Sequence, residues 1–137
     1  MRYLLGLILK LLVLSGGMSF AEWVPLGEIY QSPGIRTIYI DLASVRKDGA
    51  LITLAVLIDW KSMQGNRSPT RFFSTIFTKQ IDCLENRVRS LAATDFYGRM
   101  GTGVATPGIV SSPGSIWTKI EPNNLSQGVR EMVCGAQ

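Results

Sequence analysis

The chain contains no histidine, so proton transfer near neutral pH would fall to carboxylates, lysine, tyrosine or cysteine. Asp41, Asp59, Asp82 and Asp95 are spread along the sequence. A paired-carboxylate hydrolase needs two acids converging across a cleft, and nothing in their spacing requires that. Each falls near the end of an apparent strand, where aspartate commonly bonds turn amides, so capping is the expected role. Cys83 and Cys134 form no CxxC pair, and without histidine neither a thioredoxin-like redox site nor a usual zinc site can be assembled. Gly98, Gly101 and Gly103 are not followed by the lysine of a phosphate-binding loop, which that chemistry needs. No catalytic residue, metal or cofactor is expected, and the chain reads as a non-enzyme.

Recognition chemistry is better represented. Trp23, Tyr30, Tyr39, Tyr97 and Trp117 combine apolar area with a polar tip that suits binding surfaces. A small domain uses most large aromatics for its core, which is the role expected of Trp60, Phe73 and Phe77. Arg87, Arg89, Tyr97 and Arg99 form a modest candidate ligand-facing patch. The basic residues are otherwise scattered, with no stripe to follow a phosphate backbone, so nucleic acid is not an expected partner.

The elements that must carry these residues begin after a leader. Met1 to Ala21 opens with Arg2, runs through apolar residues interrupted by Lys10, and ends on Ser19-Phe20-Ala21, the small-residue pattern accepted by signal peptidase. Cleavage after Ala21 is expected, with residues 22–137 as one domain. The apolar run is shorter than the roughly 20 residues needed to cross a bilayer, and no second apolar span follows, so no stable membrane anchor is expected in the mature chain. Losing Arg2 and Lys10 lowers the basic count from 14 to 12 against 10 acids, leaving a net charge of +2. Export places both cysteines in an oxidising compartment, where they are expected to pair. Such a bridge stabilises by about 4 kcal/mol in the chain-entropy model.

Branched and aromatic residues predict strands over roughly 22–28, 36–42, 51–62, 71–83 and 87–98, with weaker segments near 102–106 and 115–120. Ile52, Leu54, Val56, Ile58 and Trp60 recur at period two and define a core face. Asp48-Gly49 is the strongest turn signal, and as a two-residue loop between the second and third strands it predicts Ile40 opposite Leu57 and Tyr39 opposite Ile58. That register puts large apolar groups on both faces; a bulge, or cover on the second face, would resolve it. Leu84-Glu85-Asn86 predicts a turn into Arg87, and the glycines and prolines of residues 98–114 predict mostly loop. One helix is expected after Pro122-Asn123-Asn124, with Leu125, Val129, Met132 and Val133 on its apolar stripe. Ideal geometry turns Cys134 about 180° from Leu125, so pairing with Cys83 predicts that the helix unwinds before Cys134. The fold class is α+β.

Taken in order, Trp23, Tyr39-Ile40-Asp41, Ser44, Gly49, Ile81-Asp82-Cys83, Arg87, Arg89, Tyr97, Trp117 and Cys134 resemble the surface-adhesin protein E family across nearly the whole mature chain. The resemblance implies a single antiparallel sheet of about six strands, with a C-terminal helix tethered to it through the two cysteines. It also implies adhesion, since members include outer-surface proteins of Gram-negative bacteria that bind host extracellular-matrix and serum proteins. The expected function is an exported, non-catalytic binding module with a protein ligand. No cysteine follows the expected cleavage site to accept a lipid, which favours a periplasmic or released protein over display at the cell surface. The alternative function is a periplasmic structural or envelope-maintenance protein. A homodimer is a further expected partner arrangement, with Phe72, Ile76 and Leu57 able to supply the contact.

Overall fold

The computed structural model describes residues 21–65, 71–108 and 116–135. The expected leader, apart from Ala21, lies outside them. Eight antiparallel strands build one sheet: β1 (Trp23–Pro25), β2 (Arg36–Asp41), β3 (Arg46–Asp48), β4 (Leu51–Gln64), β5 (Phe72–Asp82), β6 (Arg87–Phe96), β7 (Ala105–Pro107) and β8 (Thr118–Lys119). Their order is β1-β2-β4-β5-β6-β7, with β3 also pairing β4 and β8 also pairing β6. β2 and β3 share one edge of β4, and β7 and β8 share one edge of β6, so the eight strands fill six columns. One helix, α1 (Leu125–Cys134), packs on the inner face.

The inner face is the period-two face read from β4. Ile38 and Ile40 from β2, Ile52, Leu54, Val56 and Ile58 from β4, Ile81 from β5 and Val88 from β6 are all buried. Val129 and Val133 of α1, with Leu26, Tyr30 and Ile120, close over them. Trp60 and Phe77 pack at the margin of this core. A helix this short is marginal alone in water; each buried branched side chain adds roughly 1.5–3 kcal/mol, and that packing keeps it folded.

Two expectations about register are corrected. The hairpin loop is Gly49-Ala50, because Asp48 pairs with Leu51, and Gly49 takes the positive φ of +60° at the first loop position. Ile40 pairs with Val56 and Tyr39 with Leu57, which places Ile38, Ile40, Val56 and Ile58 on one face. The shift arises in a 3-10 turn over Leu42–Ser44: the five residues between Ile40 and Arg46 face the two between Val56 and Thr53. Side chains pay for the interruption of the ladder. The Asp41 carboxylate accepts from the Ala43 amide at 3.0 Å, the Ser44 hydroxyl donates to the Asp41 carbonyl at 2.7 Å, and the Ala55 amide donates to Ser44 Oγ at 2.8 Å.

The helix also departs from expectation. It remains helical through Cys134 and ends at Gly135, whose φ is +79°, yet the Cys83–Cys134 disulfide is formed, with Cα atoms 5.7 Å apart. Leu125 is only half-buried, and the residues buried deepest are Ser126, Gly128, Val129 and Val133. Leu125 therefore does not mark the centre of the buried stripe. Cys134 lies one residue beyond Val133, and Cys83, in the turn between β5 and β6, meets it without unwinding.

The outer face is covered at one end by a 3-10 turn over Arg99–Gly101. The Ser74 hydroxyl donates to the Gly98 carbonyl at 2.6 Å and accepts from the Gly101 amide at 2.9 Å, while Asp59 accepts from the Met100 amide at 2.9 Å. A Cβ on Gly101 would lie 2.8 Å from Ile76 Cδ1, so the turn rests directly on the sheet. Leu57 is fully buried beneath it, which removes Leu57 from the expected dimer contact and leaves Phe72 and Ile76 half-buried.

The aspartates act mostly as turn acceptors. Asp41, Asp59 and Asp82 take amide protons, whereas Asp95 accepts from the Thr75 hydroxyl across two strands at 2.8 Å, a cross-strand role in place of the expected cap. The Asp82 carboxyl is held below its usual value of 3.8, chiefly by the Glu85 amide and further by Arg87 and the Leu84 amide, against opposition from burial.

Two predictions follow from this packing. A Cβ at Gly128 would sit 2.7 Å from Tyr30 Cδ2 and 3.1 Å from Leu26 Cδ1. Alanine there gains about 1 kcal/mol of helix propensity but meets overpacking of roughly 1–3 kcal/mol. Thermal denaturation of Gly128→Ala should show a lower melting temperature than the parent; a rise would mean that Tyr30 yields freely. Because the folded-state pKa of Asp82 is depressed, its ionisation stabilises the fold above the unfolded-state value and that stabilisation disappears as pH falls through the folded value. The melting-temperature gap between the parent and Asp82→Asn should therefore be widest near neutral pH and shrink in acid. A gap independent of pH would show that the carboxylate charge is irrelevant there.

Candidate functional site

Alternation along β6 directs Val88 inward, and Arg87 and Arg89 to the outer face. Each arginine is fixed by its neighbour on β5. Arg87 Nε donates to Asp82 Oδ2 at 3.0 Å, and Arg89 Nε donates to Gln80 Oε1 at 2.8 Å. Gln80 Nε2 then donates to Thr53 Oγ1 on β4 at 3.3 Å, so a polar ladder crosses three strands. Trp117, just before β8, brings its ring to both guanidinium groups: the Arg87 and Arg89 Cζ atoms lie 4.6 and 4.4 Å from the ring centroid. Each such contact contributes about 0.5–1 kcal/mol at an exposed site. Lys119 pairs directly with Arg87 and thus shares its face, adding an exposed cation.

The result is a preorganised cationic and aromatic surface. The side chain of Arg87 remains 42% exposed while its Nε is already bonded, so less rotamer freedom has to be lost on binding. Arginine beside tryptophan is a residue combination favoured at the centres of protein interfaces. Acidic groups or peptide carbonyls are its natural counterparts, since guanidinium groups donate and do not accept.

The four residues expected in one patch divide between two places. Arg87 and Arg89 converge on Trp117. Tyr97 lies beyond the other end of β6, 53% exposed, about 30 Å from Arg87 at the usual strand rise. Arg99, also at that end, donates to the Trp60 and Lys61 carbonyls at 2.7 and 3.1 Å and lies 3.7 Å from Asp59, pinning the Arg99–Gly101 turn. Sequence reasoning considered Trp117 and the arginine pair separately and did not join them; it also passed over Gln80, Thr53 and Lys119. The parity of β6 against β8 carries the signal, but β8 is only two residues long. Among the described residues, no three histidine, cysteine, aspartate or glutamate side chains gather as a metal site would need, and no helix is long and apolar enough to cross a membrane.

The fold recurs in solved structures. Haemophilus influenzae protein E superposes with a TM-score of 0.64 at 12% identity, covering 82% of this chain and 83% of that one. Its crystal form II gives 0.60 at 11% identity, covering 81% and 95%, and protein E from non-typeable Haemophilus influenzae gives 0.59 at 12%, covering 84% and 85%. At such identities the likeness establishes the fold. No curated protein matches the sequence. The family model for surface-adhesin protein E matches residues 23–135, a span holding every described strand, the disulfide and the arginine–tryptophan cluster, and the chain belongs to the surface-adhesin protein E family.

Proposed function

We propose that this protein is an exported, non-catalytic adhesin-like binding module that recognises an extracellular-matrix or serum protein through Arg87, Arg89 and Trp117. The observation that carries this reading is the convergence of two side-chain-anchored arginines on one tryptophan ring at the outer face. Membership of an adhesin family supports a binding role without catalysis. Tyr97, exposed at the opposite end of β6, supplies a second contact region, while Arg99 there pins the turn over Arg99–Gly101. Residues 1–21 act as the signal peptide, with the mature domain beginning at Glu22. Pairing of two copies through Phe72 and Ile76 is part of the proposal.

A second reading, a periplasmic protein of envelope maintenance with no host ligand, draws on the cysteine inventory. Both cysteines are consumed by the disulfide, so neither can carry a lipid. Protease shaving of intact producing cells separates the readings: loss of the mature protein supports surface adhesion, and retention in the periplasmic extract supports the second.

Binding of the purified protein to immobilised matrix and serum proteins tests the site itself. The double variant Arg87→Ala/Arg89→Ala should lose about 2 kcal/mol or more of binding, roughly thirtyfold in Kd, as removal of interface anchors does, and Arg99→Lys should bind within about threefold of the parent. Unchanged binding by a folded double variant would remove the cluster from the proposal.

A further inference from the structure

At the end of the molecule remote from the disulfide, a cleft of about 290 Å³ opens between the first turn of α1 and the start of β2. Its polar lining is rich in donors, and none of its lining residues is acidic. The Leu125 and Ser126 amides occupy the first turn, where no intrahelical acceptor exists, while Asn124 Oδ1 has already accepted the Gln127 amide at 3.1 Å. A second observation is independent of the helix end. Ser126 is 9% exposed, it lines the cleft, and its hydroxyl makes no hydrogen bond among the described residues. Its oxygen is still reached by solvent, so the hydroxyl can donate to a ligand atom in the cleft.

Arg36 supplies charge. It lines the same cleft, makes no ion pair or hydrogen bond through its side chain among the described residues, and lies 5.8 Å from the centroid of the Trp60 ring. By contrast, Gln31 and Tyr30 are committed. The Gln31 amide is saturated by the Leu26 and Ile38 carbonyls and the Ile38 amide, and the Tyr30 hydroxyl donates to Glu131. Ile29 and Leu125 contribute apolar surface beside these donors. A larger cleft of about 720 Å³ meets the first at Gln31 and Arg36 and runs toward Lys61.

We propose that this cleft binds the carboxylate end of a peptide whose last residue is apolar, with the carboxylate held by Arg36, the Ser126 hydroxyl and the first-turn amides of α1. The helix end favours an anion, a guanidinium matches a carboxylate in two-pronged geometry, and the adjoining cleft gives the preceding peptide residues a path outward. This site is separate from the Arg87–Trp117–Arg89 surface, so it stands or falls independently of the adhesion proposal.

The test is a titration of the isotopically labelled mature protein, followed through the Leu125 and Ser126 amide resonances. The probes are acetyl-Gly-Ala-Leu as the free acid, the same peptide as its C-terminal amide, and inorganic phosphate. The free acid should shift both resonances saturably, and the amide should not. Arg36→Gln should weaken binding by about tenfold or more, as loss of a charge-assisted pair does. Ser126→Ala, which removes a hydroxyl with no protein partner, should keep the melting temperature and weaken binding by roughly threefold to tenfold; it carries the test if Arg36→Gln fails to fold. Equal shifts from acid and amide, saturation by phosphate but not by the peptide acid, or parental affinity in the folded Ser126→Ala variant would each overturn the assignment.

Discussion

Everything else in this fold depends on closing the inner face of the sheet. Ile38, Ile40, Leu54, Val56 and Ile81 are withdrawn almost completely from water, and their cover is a ten-residue helix that could not stand alone. The helix approaches closely only because residue 128 is glycine. The Tyr30 ring fills the space where a side chain would be, and its hydroxyl reaches Glu131 on the next turn at 2.7 Å, an interaction that raises the tyrosine pKa. A residue of poor helix propensity is thus the one that lets the helix contribute its burial. The disulfide fixes the far end of the same helix to the turn before β6, so packing at one end and a covalent bond at the other hold the cover in place.

With the inner face closed, the two ends of the outer face are organised differently. The Arg99–Gly101 turn covers Leu57 at one end, using Ser74 and Asp59 as acceptors and Arg99 as a clamp on two carbonyls. At the other end no backbone turn rests on β5 and β6 among the described residues, and the surface is made of side chains that order one another: Asp82 orients Arg87, Gln80 orients Arg89, and both meet Trp117. The same arginine chemistry therefore serves opposite purposes, pinning a loop at Arg99 and presenting donors at Arg87.

The core was legible in the sequence because period two is a local property. Ile52 to Ile58 announce a buried face without knowledge of any partner strand, and the Cys83–Cys134 pairing followed from export. Features decided by distant groups were not legible. The turn at Leu42–Ser44 that offsets the register of β2 from that of β3 is tied to β4 by the Ala55 amide donating to Ser44, a contact between residues eleven apart. The end of α1 is not legible because measuring Cys134 against Leu125 misplaces the buried stripe, when Ser126, Gly128, Val129 and Val133 are the residues turned inward. Of the candidate residues, the arginine pair could be read from alternation on β6. Its tryptophan partner could not, because β8 is only two residues long, too short for alternation to announce it.

The Cys83–Cys134 bond encloses β6, β7, β8 and Trp117 within one covalent ring. An exported protein meets hostile proteases, and a single cleavage anywhere inside that ring would open the backbone without releasing a fragment. Arg87, Arg89 and Trp117 would remain on the same molecule, still joined through the pairing of β6 with β5 and with β8, so a nicked chain can keep the proposed binding surface whole.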